Sequence, residues 1–523
     1  MVRRSDLPRI CVALGCAGAD LLERRARQAC EEGEEFLELR LDLLADPQQG
    51  VSALARLRRR YPDVVWIATC RRILNGGRFA GGVEEQLGLL EAAVEAGAQA
   101  VDIEVETAEA ARGRLEGFRR RARLVISCHN FRSTPALRPM LRKLEATPAD
   151  VLKLATLARK PTDNLRLLEL ARSYSGRPLV VVGMGEAGAP SRVLGLGRGS
   201  AFTYAAPSAC RGGEPGMAPT APGQISSRQM RRQYRVERHT QDTSVYGVIA
   251  SPVGHSLSPA VHNRAFQACR IDAVYVPFRV EAGGVPDFLE LAGKLPVAGF
   301  SVTIPHKQKV LRHLDVVDQA ARRMGAVNTV YRRQGRLRGA NTDAEAVTAP
   351  LARRLRLKGA RILIAGNGGA ARGAAFALLD KGAQVFLTGR HPGRVRALAR
   401  LCGATPLDRR AIGEGRYDAV IQATPLGTYP HVDESFFTGP VPADLVFDLV
   451  YNPAETLLLR QSREAGKQVI SGLEMFLEQA AAQFEIWTGR PAPRRAMEAA
   501  AREGLEAQAQ ADRCPPEGQE PRA

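Results

Sequence analysis

Over about the first 235 residues, short β-rich apolar runs alternate with amphipathic stretches. The runs fall at 10–14, 36–41, 64–70, 100–105, 124–128, 150–156, 179–184 and 201–205. Between most of them apolar residues recur at helical spacing, as in 21–32, 83–96 and 164–173. Eight such strand–helix units predict an α/β architecture that closes as a (β/α)8 barrel. Its functional residues are then expected at the C-terminal ends of the strands. Residues 211–223, rich in Gly and Pro, read as a long loop after the eighth strand, and the Arg-rich stretch 226–238 as a closing helix. A first domain at 1–238 and a linker at 239–243 follow.

The pattern then restarts with a strand at 244–250 and continues as alternating strands and helices to about residue 345. A helix leads into a strand at 361–365, a glycine-rich turn and another helix, with further strands at 384–387, 419–422 and 445–449. This order predicts a small α/β substrate-binding domain, 244–345, followed by a Rossmann-type nucleotide-binding domain, 346–472. The helix at 473–488 is expected to pack back, so that 473–505 completes the substrate domain. The polar tail, 506–523, carries two adjacent prolines and is expected to be disordered. No internal repeat is present.

Composition changes this picture little. The 523 residues are 45% hydrophobic and 25% charged, enough apolar material for several cores. No apolar stretch reaches the ~18 residues that cross a bilayer. Arg3 and Arg4 ahead of the run 10–19 superficially suggest a secretory signal. Asp6 and Pro8 interrupt the basic region, however, and the run ends at Asp20 without a cleavage pattern, so a buried first strand is expected. Nine scattered cysteines without a C-x-x-C fit a reducing, cytoplasmic compartment and argue against a disulfide framework or a zinc site. The net charge of +19 is spread along the chain with few aromatics. It reads as solvated basic surface that attracts small anions, not as a nucleic-acid or membrane surface.

The make-up of that charge is more telling. Only nine of the 74 basic residues are lysines, and none precedes Lys143. Lysine is therefore a pointer to chemistry that guanidinium cannot do, such as nucleophilic attack or proton transfer. Lys358 and Lys381 read as ordinary helix-end or turn residues. Lys153 interrupts the apolar run Val151-Leu152-Lys153-Leu154-Ala155, where a charge is costly to bury. Desolvation there is expected to lower the amine's pKa and free it to attack a carbonyl. A lysine paired with a carboxylate at the barrel rim is the plainer alternative. Other polar residues also stand where predicted strands end: Glu38, Arg40, Arg71 and His129, with Arg192 and Gln224 in later loops. Cys128 and His129 do not read as a thiol–imidazole pair, because adjacent strand residues face opposite ways.

Residues 9–238 are similar to type I 3-dehydroquinate dehydratases. The resemblance is carried by Glu38-Leu39-Arg40-Leu41-Asp42, Thr69-Cys70-Arg71 with Gly76-Gly77, Ser127-Cys128-His129-Asn130-Phe131, Lys153, Ser191-Arg192 and Ala221-Pro222-Gly223-Gln224-Ile225. It implies that Lys153 forms a Schiff base with the substrate ketone. His129 then serves as general base, and as acid toward the departing hydroxyl. Arg71 and Arg192 would grip the substrate carboxylate. Glu38, Arg40, Thr220 and Gln224 would contact hydroxyls or the carboxylate, and Met184 would line the pocket. Many members of that family carry a glutamate immediately before the glycine pair, where this chain has Asn75. An amide orients an imidazole but does not stabilise its cation, so the His129 pKa is expected to fall by about one unit.

In the second half, Gly366-Asn367-Gly368-Gly369-Ala370-Ala371 is a G-x-G-x-x-A fingerprint directly after a strand and opening a helix. After the next strand come Arg390 and Arg394 in place of the acidic residue usual for NAD, which favours NADP. Upstream, Lys307 and Asp343 could relay a proton to a carbonyl oxygen that receives hydride. A surface ion pair is the alternative.

Residues 244–505 resemble shikimate dehydrogenase. The motifs are Gly254-His255-Ser256-Leu257-Ser258-Pro259, Thr303 to Lys307, Gly325-Ala326-Val327-Asn328-Thr329, Asn341-Thr342-Asp343 and Gly472-Leu473-Glu474-Met475, with Gln479 further on. This implies that Ser256 and Ser258 bind the carboxylate and that Thr303, Asn328, Asp343, Tyr451 and Gln479 arrange the ring hydroxyls. Lys307 and Asp343 would do the proton work, and Gly366, Gly368, Gly369, Ala370, Arg390, Arg394 and Thr424 would hold NADP. The family's usual Asn-Arg-Thr is here Gly389-Arg390-His391.

The two resemblances imply adjacent steps: 3-dehydroquinate to 3-dehydroshikimate, then reduction to shikimate with NADPH, without a metal. Two alternatives remain at this level. The second half could be a quinate/shikimate dehydrogenase of relaxed specificity, or the chain a non-catalytic metabolite-sensing regulator built from the same domains.

Overall fold

The computed structural model describes residues 7–513 apart from 209–219, 222, 255 and 430. Most of the predicted loop 211–223 therefore lies outside the described residues. Eight strands follow the apolar runs: β1 (Ile10–Leu14), β2 (Phe36–Arg40), β3 (Val65–Thr69), β4 (Ala100–Glu104), β5 (Arg123–Asn130), β6 (Val151–Leu157), β7 (Leu179–Met184) and β8 (Thr203–Ala205). They form one sheet in the order β7-β6-β5-β4-β3-β2-β1-β8. All its pairs are parallel. The outer strands meet where Ala201 N–H donates to Leu179 O at 2.8 Å, closing the barrel.

Because strand side chains alternate, one parity on every strand points inward. Cys11, Phe36, Ile67, Ala100, Val125, Val151, Val180 and Phe202 pack together as the apolar floor. Two residues further along the same parity stand Glu38, Thr69, Asp102, Ser127 and Lys153, all buried. The barrel thus changes from apolar to polar toward its C-terminal face, where such barrels hold their chemistry.

The predicted helix at 226–238 is broken. A π-helical segment spans Gln229–Tyr234, Arg235 adopts the left-handed conformation at φ 52°, and a 3-10 turn follows at Val236–Arg238. The tail expected to be disordered from 506 is helical as far as Arg513, in a helix over Arg494–Arg513. The Ala- and Glu-rich composition of 496–509 favours helix strongly enough to outweigh its polarity. Residues 514–523, with the paired prolines, lie outside the described residues.

The chain divides into two units, residues up to 254 with Asp272–Val297, and Ser256–Ile271 with Ala298–Arg513. The first contains, beside the barrel, the parallel pair β9 (Ser244–Ala250) and β10 (Ala273–Arg279). These strands continue from the barrel through local contacts: Arg279 pairs with Glu186 at 2.6 Å, and Asp287 accepts from Thr162 Oγ1 at 2.7 Å.

In the second unit β11 (Val297–Val302) pairs antiparallel with β13 (Thr329–Arg333), which turns into β14 (Arg336–Ala340), and β12 (Val316–Val317) runs parallel to β14. A second sheet follows: β15 (Arg361–Ala365), β16 (Gln384–Thr388), β17 (Thr405–Pro406), β18 (Tyr417–Gln422), β19 (Ala443–Asp448) and β20 (Gln468–Ile470). Its order is β17-β16-β15-β18-β19-β20, all parallel. That is the doubly wound Rossmann order, and its ligand crevice lies where the order reverses, between β15 and β18. Both faces of the sheet are apolar, as burial under helices on each side demands. Ile362 and Ile364 pack on one face, Leu363 and Ala365 on the other.

Candidate active sites

In the barrel, the Lys153 ammonium on β6 donates to Asp102 Oδ2 on β4 at 2.6 Å. These strands are not neighbours, so only side chains aimed into the barrel meet this way. The ammonium also lies 4.0 Å from the centroid of the Tyr204 ring. Lys153 is therefore not the isolated buried cation that the apolar run suggested. Burial by itself would raise the Asp102 pKa, but the Lys153 and Arg71 cations hold that carboxyl below the usual carboxylate range.

Arg71, just past β3, donates from Nε to Glu104 Oε1 at 2.8 Å. Glu104 is held in turn by Gln86 Nε2 at 3.0 Å, and Gln86 Oε1 accepts from Thr107 Oγ1 at 2.8 Å. Burial raises the Glu104 pKa against the pull of Arg71. Glu38 accepts from Thr69 Oγ1 at 2.7 Å. Arg40 forms a two-point pair with Asp42, both bonds 2.8 Å. Arg40, Arg71 and Lys153 stand out in the sequence; of their carboxylate partners only Asp42 shares a motif with its cation, while Asp102 and Glu104 fall in none. The readable signal for two of these was β4 itself, Ala-Val-Asp-Ile-Glu, with two acids of one parity in an apolar strand.

His129 stands two residues beyond the Ser127–Lys153 register pair of β5 and β6. Its ring stacks on Phe131, centroids 5.6 Å apart, and its Nδ1 is enclosed without a hydrogen-bond partner. Burial, then the charges of Arg71, Lys153 and Arg40, push its pKa well below 6.5. The expectation that Asn75 orients this imidazole is corrected here. The Asn75 amide donates to Glu106 Oε2 at 2.9 Å instead, while the lowered pKa expected for His129 is found, with burial and the three cations as its causes.

Arg192 sits in the short helix Ala189–Leu194, fixed by Gly183 N–H donating to Ser191 Oγ at 2.8 Å. The guanidinium is buried, Nε and Nη2 have no partner, and burial lowers its pKa to about 10. A buried cation in want of an acceptor suits an incoming carboxylate. No described hydrogen bond or ion pair ties Arg192 to the Lys153 cluster. Met184 ends β7 and is buried in the barrel cluster. Thr220 Oγ1 and Ala221 N–H both converge on Gln224 Oε1, at 3.2 and 3.3 Å.

In the second unit Lys307 Nζ donates to Asp343 Oδ2 at 2.6 Å, with both side chains part-exposed. Asn328 Nδ2 holds the other oxygen, Oδ1, at 2.8 Å. Asn328 is itself locked, its Oδ1 accepting from Thr342 N–H at 2.9 Å and from Thr329 Oγ1 at 2.7 Å. Gln483, buried on the helix Gly472–Thr488, donates to Asn328 O and Thr329 Oγ1, both at 3.1 Å. Sequence reasoning singled out Gln479, one turn earlier, whose Nε2 donates to Phe476 O at 3.0 Å, and missed Gln483. Ser256 Oγ accepts from Ser258 N–H at 3.3 Å, and Thr303 O accepts from His306 N–H at 2.8 Å. The Tyr451 ring stacks on Phe476, centroids 5.2 Å apart.

At the crevice of the Rossmann sheet Gly366 has φ +135°, and a Cβ there would lie 2.6 Å from Ala423 O. Cβ atoms at Gly368 and Gly369 would meet nothing within 4 Å, leaving open space over the start of the helix Gly369–Asp380, which continues with Ala370. Such a cradle suits a pyrophosphate at a helix N-terminus. Arg390 and Arg394 follow β16 and are exposed, free to take a further phosphate. Thr424, after β18, accepts from Leu426 N–H at 3.4 Å.

Comparison with known proteins covers both halves. Residues 10–241 match the family model for type I 3-dehydroquinase. Residues 248–330 match the shikimate dehydrogenase substrate binding domain, and 472–502 the shikimate 5'-dehydrogenase C-terminal domain. The chain is 32% identical to the chloroplastic bifunctional 3-dehydroquinate dehydratase/shikimate dehydrogenase of Arabidopsis thaliana, over 93% of this chain and 83% of that one. It is 38% identical to the shikimate dehydrogenase (NADP(+)) of Bacillus cereus strain B4264, over 47% of this chain and 93% of that one. To the enzyme of the same description from Methanothermobacter thermautotrophicus it is 39% identical, over 50% of this chain and 96% of that one. With one relative spanning both halves, the chain belongs to the bifunctional 3-dehydroquinate dehydratase/shikimate dehydrogenase family.

Proposed function

We propose that Lys153, His129 and Arg192 dehydrate 3-dehydroquinate in the barrel, and that Lys307 and Asp343 handle the proton when 3-dehydroshikimate is reduced with NADPH. The observation that carries the first part is the buried Lys153–Asp102 pair, with an imidazole close by whose enclosed Nδ1 has no hydrogen-bond partner. Condensation of the Lys153 amine with the ring ketone releases water and leaves a protonated imine. Ammonium and iminium carry the same charge, so Asp102 neutralises both and no new charge is buried. The iminium makes the neighbouring C–H acidic. His129, neutral because its pKa is depressed, takes that proton and returns it to the departing hydroxyl, which leaves as water. A second water then hydrolyses the imine and frees Lys153. Arg192 and Arg71 hold the substrate carboxylate, and Glu38, Arg40, Thr220, Gln224 and Met184 complete the pocket.

In the second unit, bound NADPH supplies a hydride for the ring carbonyl. Lys307 offers its proton to the carbonyl oxygen as negative charge develops there, and Asp343, fixed by Asn328, keeps the ammonium aimed. Ser256 and Ser258 bind the carboxylate, while Thr303, Asn328, Tyr451 and Gln479 order the hydroxyls. The open cradle at Gly366–Gly369, together with Arg390, Arg394 and Thr424, supports NADP binding. The proposed domains are 1–238, 239–243 as linker, 244–345 with 473–505, and 346–472. The scattered cysteines favour the cytoplasm as the compartment, and among the described residues no helix is long and apolar enough to cross a membrane.

The test is direct. Purified chain given 3-dehydroquinate and NADPH should oxidise the cofactor, which requires both halves. Borohydride added with 3-dehydroquinate alone should trap a mass adduct on Lys153. Cofactor oxidation without a Lys153 adduct would refute the imine.

A further inference from the structure

Asp448, the last residue of β19, is fully buried and belongs to none of the groups assigned above. Its carboxylate collects three hydrogen bonds from three different segments. Oδ2 accepts from Gln422 Nε2 at the end of β18, at 3.0 Å, and from Thr456 Oγ1 at 2.6 Å. Oδ1 accepts from Val450 N–H at 3.0 Å. Gln422 is a relay, since its Nε2 also donates to Leu426 O at 3.1 Å and its Oε1 accepts from Phe436 N–H at 3.1 Å. Thr456 caps the helix Leu457–Glu464. Through Gln422 this carboxylate ties the backbone at Leu426 and Phe436, in the loop after β18 that carries Thr424, to the loop after β19, which carries Tyr451. A second strap joins the same loops where Thr428 Oγ1 donates to Asn452 O at 2.9 Å.

We propose that Asp448 is a positioning residue of the dehydrogenase, whose carboxylate locks the cofactor-side loop to the substrate-side loop and so sets the mutual approach of the two ligands. The proposal rests on the assignment of Thr424 to the cofactor and Tyr451 to the substrate. The groups facing Asp448 from β18, from the turn after β19 and from the capped helix are Gln422, Val450 N–H and Thr456. None is charged. Burial is thus not offset by a cation and raises the carboxyl pKa to about 6. All three neighbours donate to a charged acceptor, so a proton on Asp448 removes the charge that strengthens the three bonds, and the lock loosens as pH falls through that value.

Asp448→Asn in the full chain should raise KM for NADPH and for 3-dehydroshikimate together by roughly tenfold. It should abolish an acid limb near pH 6 in the dehydrogenase profile and leave the dehydratase rate of the same preparation unaltered. Thr456→Val keeps the carboxylate but removes one donor, and should move that limb to higher pH. Parental KM values and an unmoved limb in both variants overturn the proposal. Tyr451→Phe and Thr424→Ala separate the lock from its premise. If these raise KM while Asp448→Asn does not, the lock alone is wrong. If both are silent, the premise fails and the proposal with it.

Discussion

Lys153 and Asp102 form a 2.6 Å ion pair across the inside of the barrel, between strands that do not touch, with both side chains almost wholly buried. Breaking such a pair from one side leaves an uncompensated charge in low dielectric. Asp102→Asn should therefore cost about 3–5 kcal/mol of stability and most of the dehydratase activity. Adding Lys153→Met to it should recover much of the stability and none of the activity. Urea titration of the two variants checks this, and a double variant no more stable than the single one would contradict it.

His129 sets a pH prediction. Its folded-state pKa lies below 6.5, so between the two values the unfolded chain binds the extra proton and stability rises with pH. The neutral base persists in the folded enzyme well below pH 6.5. Dehydratase kcat/KM should then show no limb at the ordinary histidine pKa, and the barrel should lose stability as pH falls through it. A rate profile breaking near 6.5 would show the imidazole to be solvated.

Arg192 bears a cost in the free enzyme. Its buried guanidinium has unpartnered nitrogens, so Arg192→Met should stabilise the free protein by roughly 1–4 kcal/mol while raising the dehydratase KM at least about a hundredfold. Thermal unfolding with and without 3-dehydroquinate gives the comparison. The substrate should stabilise the parent far more than the variant.

Lys307→Met should lower dehydrogenase kcat by about 10²–10⁴-fold, the range for a positioned general acid, and leave the dehydratase intact. Asp343→Asn should do nearly as much, because the Asn328 and Lys307 bonds both end on that carboxylate. Equal losses in KM and none in kcat would reduce the pair to substrate binding.

At the cofactor cradle Gly366→Ala would thrust a methyl against Ala423 O at a φ that disfavours any side chain. Binding of NADPH, read by fluorescence titration, should weaken at least about tenfold. Arg390→Ala should weaken NADPH and leave NADH nearly unchanged, which tests the phosphate role separately.

Much of this molecule was readable along the chain. The strands of the barrel lie within a residue or two of the apolar runs, and the glycine turn announced the Rossmann helix. Lys153 stood out because an arginine-rich chain placed a lysine in a strand core. Its partner did not stand out. Asp102 and Glu104 look like ordinary alternating polar residues until the barrel closes and that parity turns inward. Asn75 misled in the opposite sense, because its place in a motif suggested a contact with His129 that the fold gives to Glu106. Gln483 was invisible for the same reason, since its partners Asn328 and Thr329 lie far away in sequence, and Asp448 because its role needs β18 and β19 side by side.

Local order, then, was decided by the amino-acid pattern itself: where strands and helices lie, which side of each is apolar, and which residue types are available for chemistry. Which charges neutralise one another, which imidazole is desolvated and which guanidinium is left wanting an anion were decided only by tertiary structure. Pairing energy and desolvation depend on distance and burial in space, and those quantities do not exist until strands remote in the chain have been brought together.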